Sequence, residues 1–131
     1  RVELRGFSEY KRLLEEYNDV DVVLDAFPYN GGVTTLEAMW MGRPVVTIRG
    51  ETMVSRQGVA LLSAVGLDDL VATDAQDFAR IVASLANDGP RRLQLASELR
   101  ERMRRSPLMD AAAMARALES AYRGAWQRFL A

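Results

Sequence analysis

Residues 25–42 read DAFPYNGGVTTLEAMWMG, and the architecture follows from how this stretch joins its neighbours. Ahead of it runs DVVLD over residues 21–25, short and apolar, the pattern of a buried strand. Behind it runs PVVTI over residues 44–48, a second such strand. Between them lie a turn built from Pro28, Asn30, Gly31 and Gly32 and a helix-forming segment, residues 33–41. Strand, glycine turn, helix and strand in succession place the turn and the helix N-terminus at the carboxyl ends of parallel strands. Open α/β folds bind ligands at that edge.

The residues of the turn suggest what it holds. A helix N-terminus leaves backbone N–H groups without partners and carries partial positive charge. Gly31 and Gly32 allow close backbone approach, and Thr34 and Thr35 add hydroxyls in the first turn. With the Asn30 side chain, these groups suit a phosphate or diphosphate. Glu37 follows three residues after Thr34 on roughly the same face and leans back toward the turn. A carboxylate repels phosphate but accepts hydrogen bonds from a sugar diol, so phosphate at the turn and ribose beside Glu37 describe a nucleotide. A second reading stands beside this one: an ordinary loop, with Thr34 as a cap and Glu37 complementing the helix dipole. Neither GxxxxGK[ST] nor GxGxxG occurs, so no P-loop or dinucleotide fingerprint applies.

At 131 residues the chain is one domain by the usual prior. Its 49% apolar and 27% charged residues are those of a globular protein, and a net charge of −1 argues against a nucleic-acid surface. With neither cysteine nor histidine, it has no disulfide framework, no thiolate site and no imidazole base. No run is long enough to span a bilayer, and no signal peptide is visible, so a cytoplasmic setting with no membrane partner is expected. The start at Arg1, directly before a strand-like run, suggests a piece of something longer.

In order along the chain, residues 1–4 read as a short strand with Val2 and Leu4 on one face. Ser8 is a plausible N-cap for a helix over 9–17, whose Tyr10, Leu13, Leu14 and Tyr17 are expected against the sheet. With the strand at 21–25 this makes a βαβ unit. After the central helix, where Trp40 is expected in the core, Gly42 caps and Pro44 stops. Ser55 is expected to cap a helix over 56–65, near which Arg56 reads either as an anion contact or as a surface arginine. An edge strand over 69–72, a helix over 75–86 capped by Thr73 or Asp74, and a turn at 87–90 follow. A helix over 91–105 carries a solvated charged face, Ser106-Pro107 breaks the chain, and Asp110 caps a last helix over 111–129. Its stripe is Met114, Leu118, Tyr122, Ala125 and Phe129. The fold class is α/β, a partial Rossmann-like parallel sheet with a helical C-terminal tail. A βαβαβ core is expected over 1–72 and the tail over 73–131.

Residues 22–55, VVLDAFPYNGGVTTLEAMWMGRPVVTIRGETMVS, closely resemble the C-terminal catalytic lobe of O-linked N-acetylglucosaminyltransferases and their bacterial relatives. Leu24-Asp25, Pro28, Asn30-Gly31, Thr34, Trp40, Gly42 and 44–47 carry the resemblance. Gly50-Glu51-Thr52 with Ser55-Arg56, Ser106-Pro107-Leu108, and Leu118-Glu119, Tyr122 and Trp126 extend it over nearly the whole chain. The resemblance implies half a lobe of a GT-B glycosyltransferase, a family with tetratricopeptide repeats upstream. It implies an inverting transfer of GlcNAc from UDP-GlcNAc to Ser or Thr, with the nucleotide sugar as substrate and no metal or cofactor. In such enzymes the segment matching Gly32, Val33 and Thr34 wraps the donor diphosphate, and the position matching Glu37 binds the ribose. The nucleobase lies near Ser8 and the helix after it, with Tyr10 and Lys11 in its vicinity.

This chain departs from that pattern at several positions. The animal enzymes have His at the position of Gly32, Thr at Val33 and Asp at Glu37, and the basic residue expected near Tyr10 is absent. The resemblance places the acceptor contacts, the partner lobe and a diphosphate lysine outside these residues, so the chain alone is expected to be inactive. Two alternatives stay open: a GDP-fucose donor, as in plant relatives, and a non-catalytic half-lobe serving as an interaction module.

Overall fold

The computed structural model describes residues 2–131. Three short parallel strands form its centre: β1 (Val23–Leu24), β2 (Val45–Ile48) and β3 (Val71–Ala72), in that spatial order. Val23 pairs with Val45 and Leu24 with Val46, while Thr47 pairs with Val71 and Ile48 with Ala72. Helices α2 (Val33–Trp40) and α3 (Gln57–Ala64) make the two crossovers. Parallel strands require such crossovers, and a strand covered on both faces reads as an unbroken apolar run. The run Val45–Ile48 is of that kind but for Thr47, and Val45, Val46 and Thr47 are fully buried.

Two further helices close the core. α4 (Ala75–Asn87) buries Ile81 and Leu85, and α5 (Gly89–Arg105) buries Leu95, Leu99 and Met103 at helical spacing. They pack with Ala38 and Met39 of α2, Leu62 of α3, and Leu67. Gly42 ends α2 in the left-handed region, φ 77°, where a side chain is strained. A Cβ there would also lie 2.6 Å from the Ala96 carbonyl oxygen, so Gly42 is what lets α5 come this close. Trp40 sits at the margin of the core. Arg100 and Arg104 lie over its ring at 5.2 and 5.5 Å, and Arg100 Nε donates to the Trp40 carbonyl at 2.9 Å. The charged face of α5 carries the expected pairs one turn apart, Arg102 with Glu98 and Arg105 with Glu101.

The two ends of the chain differ from the sequence reading. Residues 2–4 form no strand, and Arg1 lies outside the described residues. Val2 and Leu4 are almost fully exposed, because a run of three residues offers too little surface to join the edge beside β1. The expected βαβ unit at the N-terminus is therefore absent, and the alternation of strand and helix begins at Val23. Without a strand beneath it, α1 (Tyr10–Glu16) buries none of its residues. Tyr10 and Leu13 face solvent, and only Leu14 and Tyr17 are half-buried. Ser8 does not cap α1: its hydroxyl donates to the Glu16 carboxylate at 2.6 Å, and Glu9 holds the cap position.

At the other end, α6 (Ala111–Leu130) starts as expected on Asp110, which accepts from the Ala113 amide. Its stripe, however, is uncovered: Met114, Leu118, Tyr122 and Phe129 are all exposed, as is Trp126. The apolar periodicity makes the helix amphipathic, but nothing within the described residues lies against that face.

Candidate functional site

The Gly31–Gly32 turn leaves the carboxyl end of β1 and enters α2, and the loop leaving β2 reaches the same edge. Polar groups gather there. Of the five buried polar side chains among the described residues, Asn30, Thr35, Thr47 and Ser55 belong to this edge, and only Ser106 lies elsewhere. Buried polar groups need partners, so such a cluster is either a structural knot or a site. Here it divides into both.

The inward half is a knot. Asp25 Oδ1 accepts the Gly31 amide at 2.7 Å, and Asp25 Oδ2 accepts the Thr47 hydroxyl at 2.6 Å. Asn30 is fully buried, and its amide donates to the Val54 carbonyl at 3.1 Å. Its side-chain Nδ2 donates to the Ala26 carbonyl at 3.0 Å, and its Oδ1 accepts the Gly58 amide of α3 at 3.4 Å. Asn30 and Gly31 were expected among the diphosphate contacts. Both instead turn their donors into the protein, where the Asp25 carboxylate and the Ala26 and Val54 carbonyls take them. Gly31 is also boxed in, since a Cβ there would lie 2.6 Å from Thr34 Oγ1 and 2.8 Å from Thr35 Oγ1.

The outward half is the first turn of α2. Gly32 is its N-cap, at φ −111° and ψ −82°, and no side chain caps the helix. Thr34 therefore does not act as a cap. Among the described residues the amides of Gly32, Val33 and Thr34 donate to no partner, and Val33 and Thr34 are exposed. Thr35 is buried, with its hydroxyl over Gly31. Three unpaired donors at the positive end of a helix dipole have the chemistry to receive an anion.

Glu37 lies one turn further along, partly exposed, beside two tyrosines. Its carboxylate holds the Tyr10 phenol above the ordinary tyrosine range, chiefly by accepting a hydrogen bond from it and also by its charge. Tyr17 is pushed up too, first by burial and then by Glu37 and Tyr10. The Tyr17 hydroxyl also donates to the Thr34 carbonyl at 3.3 Å, which ties the end of α1 to the first turn of α2. Tyr10 therefore stands next to Glu37, Lys11 is exposed on the same helix, and Ser8 is committed to Glu16.

The loop after β2 closes on itself. Ser55 was expected to cap α3, but it is buried, accepting the Thr52 amide and donating to the Thr52 carbonyl, each at 3.1 Å. The 3₁₀ turn Val54–Arg56 aims Ser55 back into the loop, and α3 starts with no side-chain cap. Arg56 spends its guanidinium on the Gly50 carbonyl at 3.3 Å. Gln57 reaches the turn, its Oε1 3.3 Å from where a Gly32 Cβ would stand. A roomy concavity between residues 3–9 and α1 has walls of both charges and lies apart from this edge.

A family model described as glycosyl transferase family 41 matches residues 16–118. The chain belongs to glycosyl transferase family 41. Among its curated relatives is a protein of Eustoma exaltatum subsp. russellianum named a probable UDP-N-acetylglucosamine–peptide N-acetylglucosaminyltransferase, SPINDLY. It is 41% identical over 116 residues, covering 88% of this chain and 13% of that protein. The Caenorhabditis elegans UDP-N-acetylglucosamine–peptide N-acetylglucosaminyltransferase is 28% identical over 83% of this chain and 10% of its own length. A solved structure of a mutant O-GlcNAc transferase from Thermobaculum terrenum superposes with a TM-score of 0.84 at 38% identity. It covers 92% of this chain and 23% of that one. The chain thus spans about an eighth of the first curated relatives.

Sequence reasoning missed Asp25, Thr47, Gln57 and Gly58 as parts of this edge. Asp25 closes an apolar run and Thr47 interrupts another. A polar residue at the end of one apolar run and inside the next was the available signal.

Proposed function

We propose that this chain is the nucleotide-binding part of an inverting protein O-glycosyltransferase that transfers GlcNAc from UDP-GlcNAc to Ser or Thr hydroxyls. The single observation behind the reading is the open first turn of α2, with Glu37 one turn in. The amides of Gly32, Val33 and Thr34 meet the donor diphosphate, with the Thr34 hydroxyl beside them, and Glu37 accepts from the ribose diol. Tyr10 and Lys11 on α1 border the nucleobase. The names of the relatives favour UDP-GlcNAc over GDP-fucose.

In the transfer, the acceptor oxygen bonds to the anomeric carbon as the bond to the diphosphate oxygen breaks. The electron pair leaves on UDP. Amides fixed before the reaction stabilise charge developing on that leaving group. Acceptor placement and proton removal fall to other regions of the longer protein, including the second lobe expected of the family.

Titration of the full-length protein with UDP, GDP and their sugars tests the reading. Binding of UDP in preference to GDP, weakened about tenfold or more by Glu37→Ala, is the expected result. Donor binding untouched by that substitution would instead mark a scaffold. Sugar transfer by the isolated 131-residue chain would contradict the division of labour.

A further inference from the structure

The knot behind the turn contains a carboxylate that the donor chemistry does not call for. Asp25 sits on the protein side of the anion cradle, and its negative charge works against any phosphate bound in front of it. Its hydrogen bonds supply a geometric reason for its place there. Oδ1 takes the amide of Gly31 and Oδ2 takes the hydroxyl of Thr47, at 2.7 and 2.6 Å. A Cβ on Gly58 would come within 2.5 Å of the same Oδ2, so α3 closes over the carboxylate. One side chain thereby links the end of β1, the middle strand, the turn and the start of α3.

We propose that Asp25 is the positioning residue of the donor site. By consuming the Gly31 amide it sets where the run of free donors begins, so that Gly32, Val33 and Thr34, and no earlier group, face the diphosphate. Without it, Gly31 N–H is a partly buried donor with no partner that competes to point outward, and the turn loses its fixed entry into α2. Asp25 touches no substrate; it acts through the turn. This inference rests on the donor-site reading above.

The hydrogen bonds, not the charge, carry the role, and that sets the test. In Asp25→Asn, Oδ1 still accepts from Gly31, and the amide donates to Thr47 once that hydroxyl rotates. In Asp25→Ala both bonds are lost. In the full-length protein, donor KM is expected to rise about tenfold or more in Asp25→Ala and to stay within about threefold of wild type in Asp25→Asn. Acceptor KM is expected to stay unchanged in both. Leu85→Ala, remote and buried, supplies a control that loses stability without moving donor KM.

An unchanged KM in Asp25→Ala would overturn the inference. So would an equal rise in the control, or an Asn variant as poor as the Ala one. If Asp25→Ala does not fold, Thr47→Val decides: a rise in donor KM of about threefold or more supports the role, and none refutes it. A wild-type protein that binds no uridine nucleotide would instead defeat the donor-site reading itself.

Discussion

The helices after β1 begin in two ways. α4, α5 and α6 each open on an aspartate, Asp74, Asp88 and Asp110, whose side chain accepts an amide three residues on. α2 and α3 open on Gly32 and Arg56, neither of which caps the helix with its own side chain. α2, α3 and α4 begin at the carboxyl edge of the sheet, α4 just past β3, so on that edge the capped start of α4 stands beside the uncapped starts of α2 and α3. At α3 the inner amide of Gly58 is met by Asn30 from the turn. At α2 nothing meets the amides. Capping is the default where a helix end serves only the fold, so its omission at one end marks where the protein leaves room for something else.

Substitutions at the uncapped ends offer the hardest test of this contrast. Gly58→Ala puts a Cβ 2.4 Å from Thr47 Oγ1 and 2.5 Å from Asp25 Oδ2, both short, well-anchored side chains. A loss of about 2–3 kcal/mol is expected from the denaturant midpoint, because neither neighbour can give way. Gly32→Asp supplies the cap that α2 lacks, where only the end of the Gln57 side chain stands nearby. UDP affinity is expected to fall about tenfold or more by calorimetry, since the new carboxylate takes the amides and repels the diphosphate. Folding stability should hold or rise. Lost stability with unchanged affinity would break the contrast.

Removing the caps should do the reverse. Asp74→Ala and Asp88→Ala are expected to cost about 1 kcal/mol each by thermal unfolding while leaving UDP affinity alone. The smallest effect is one of pH. Arg80, and then the Thr73 amide, hold the Asp77 carboxyl below the ordinary aspartate range. A depressed carboxyl contributes stability above its unfolded value, and that contribution is lost as pH falls through the folded value. Asp77→Asn should therefore lower stability slightly at neutrality and flatten the acid limb of the profile, the two proteins converging below about pH 4.

Much of this arrangement was legible in the sequence, for local reasons. The strands at Val23–Leu24 and Val45–Ile48, the helix between them and the aspartate caps of α4 and α6 all follow from short apolar runs and cap chemistry. What failed depended on distant partners. Residues 2–4 alternate like a strand, but a strand needs a neighbour, and none takes them. Ser8 and Ser55 stand where caps stand, yet a stronger acceptor, Glu16, claims one and the loop fold claims the other. Asn30 and Gly31 read as ligand donors because the residues that consume them, Ala26, Val54, Gly58 and Asp25, meet them only in the folded chain. The open face of α6 was invisible for the same reason, since periodicity tells which side is apolar and not what lies on it.

The chain has two tryptophans, in opposite settings. Trp40 rests under two guanidinium groups at the junction of α2 and α5, and Trp126 stands 60% exposed on α6 beside Phe129. Their light emission should separate accordingly. Dissolved iodide will extinguish the Trp126 signal first, and what remains will come from the indole that ends α2. The protein thus carries an optical gauge of how α2 packs on α5, with no label attached.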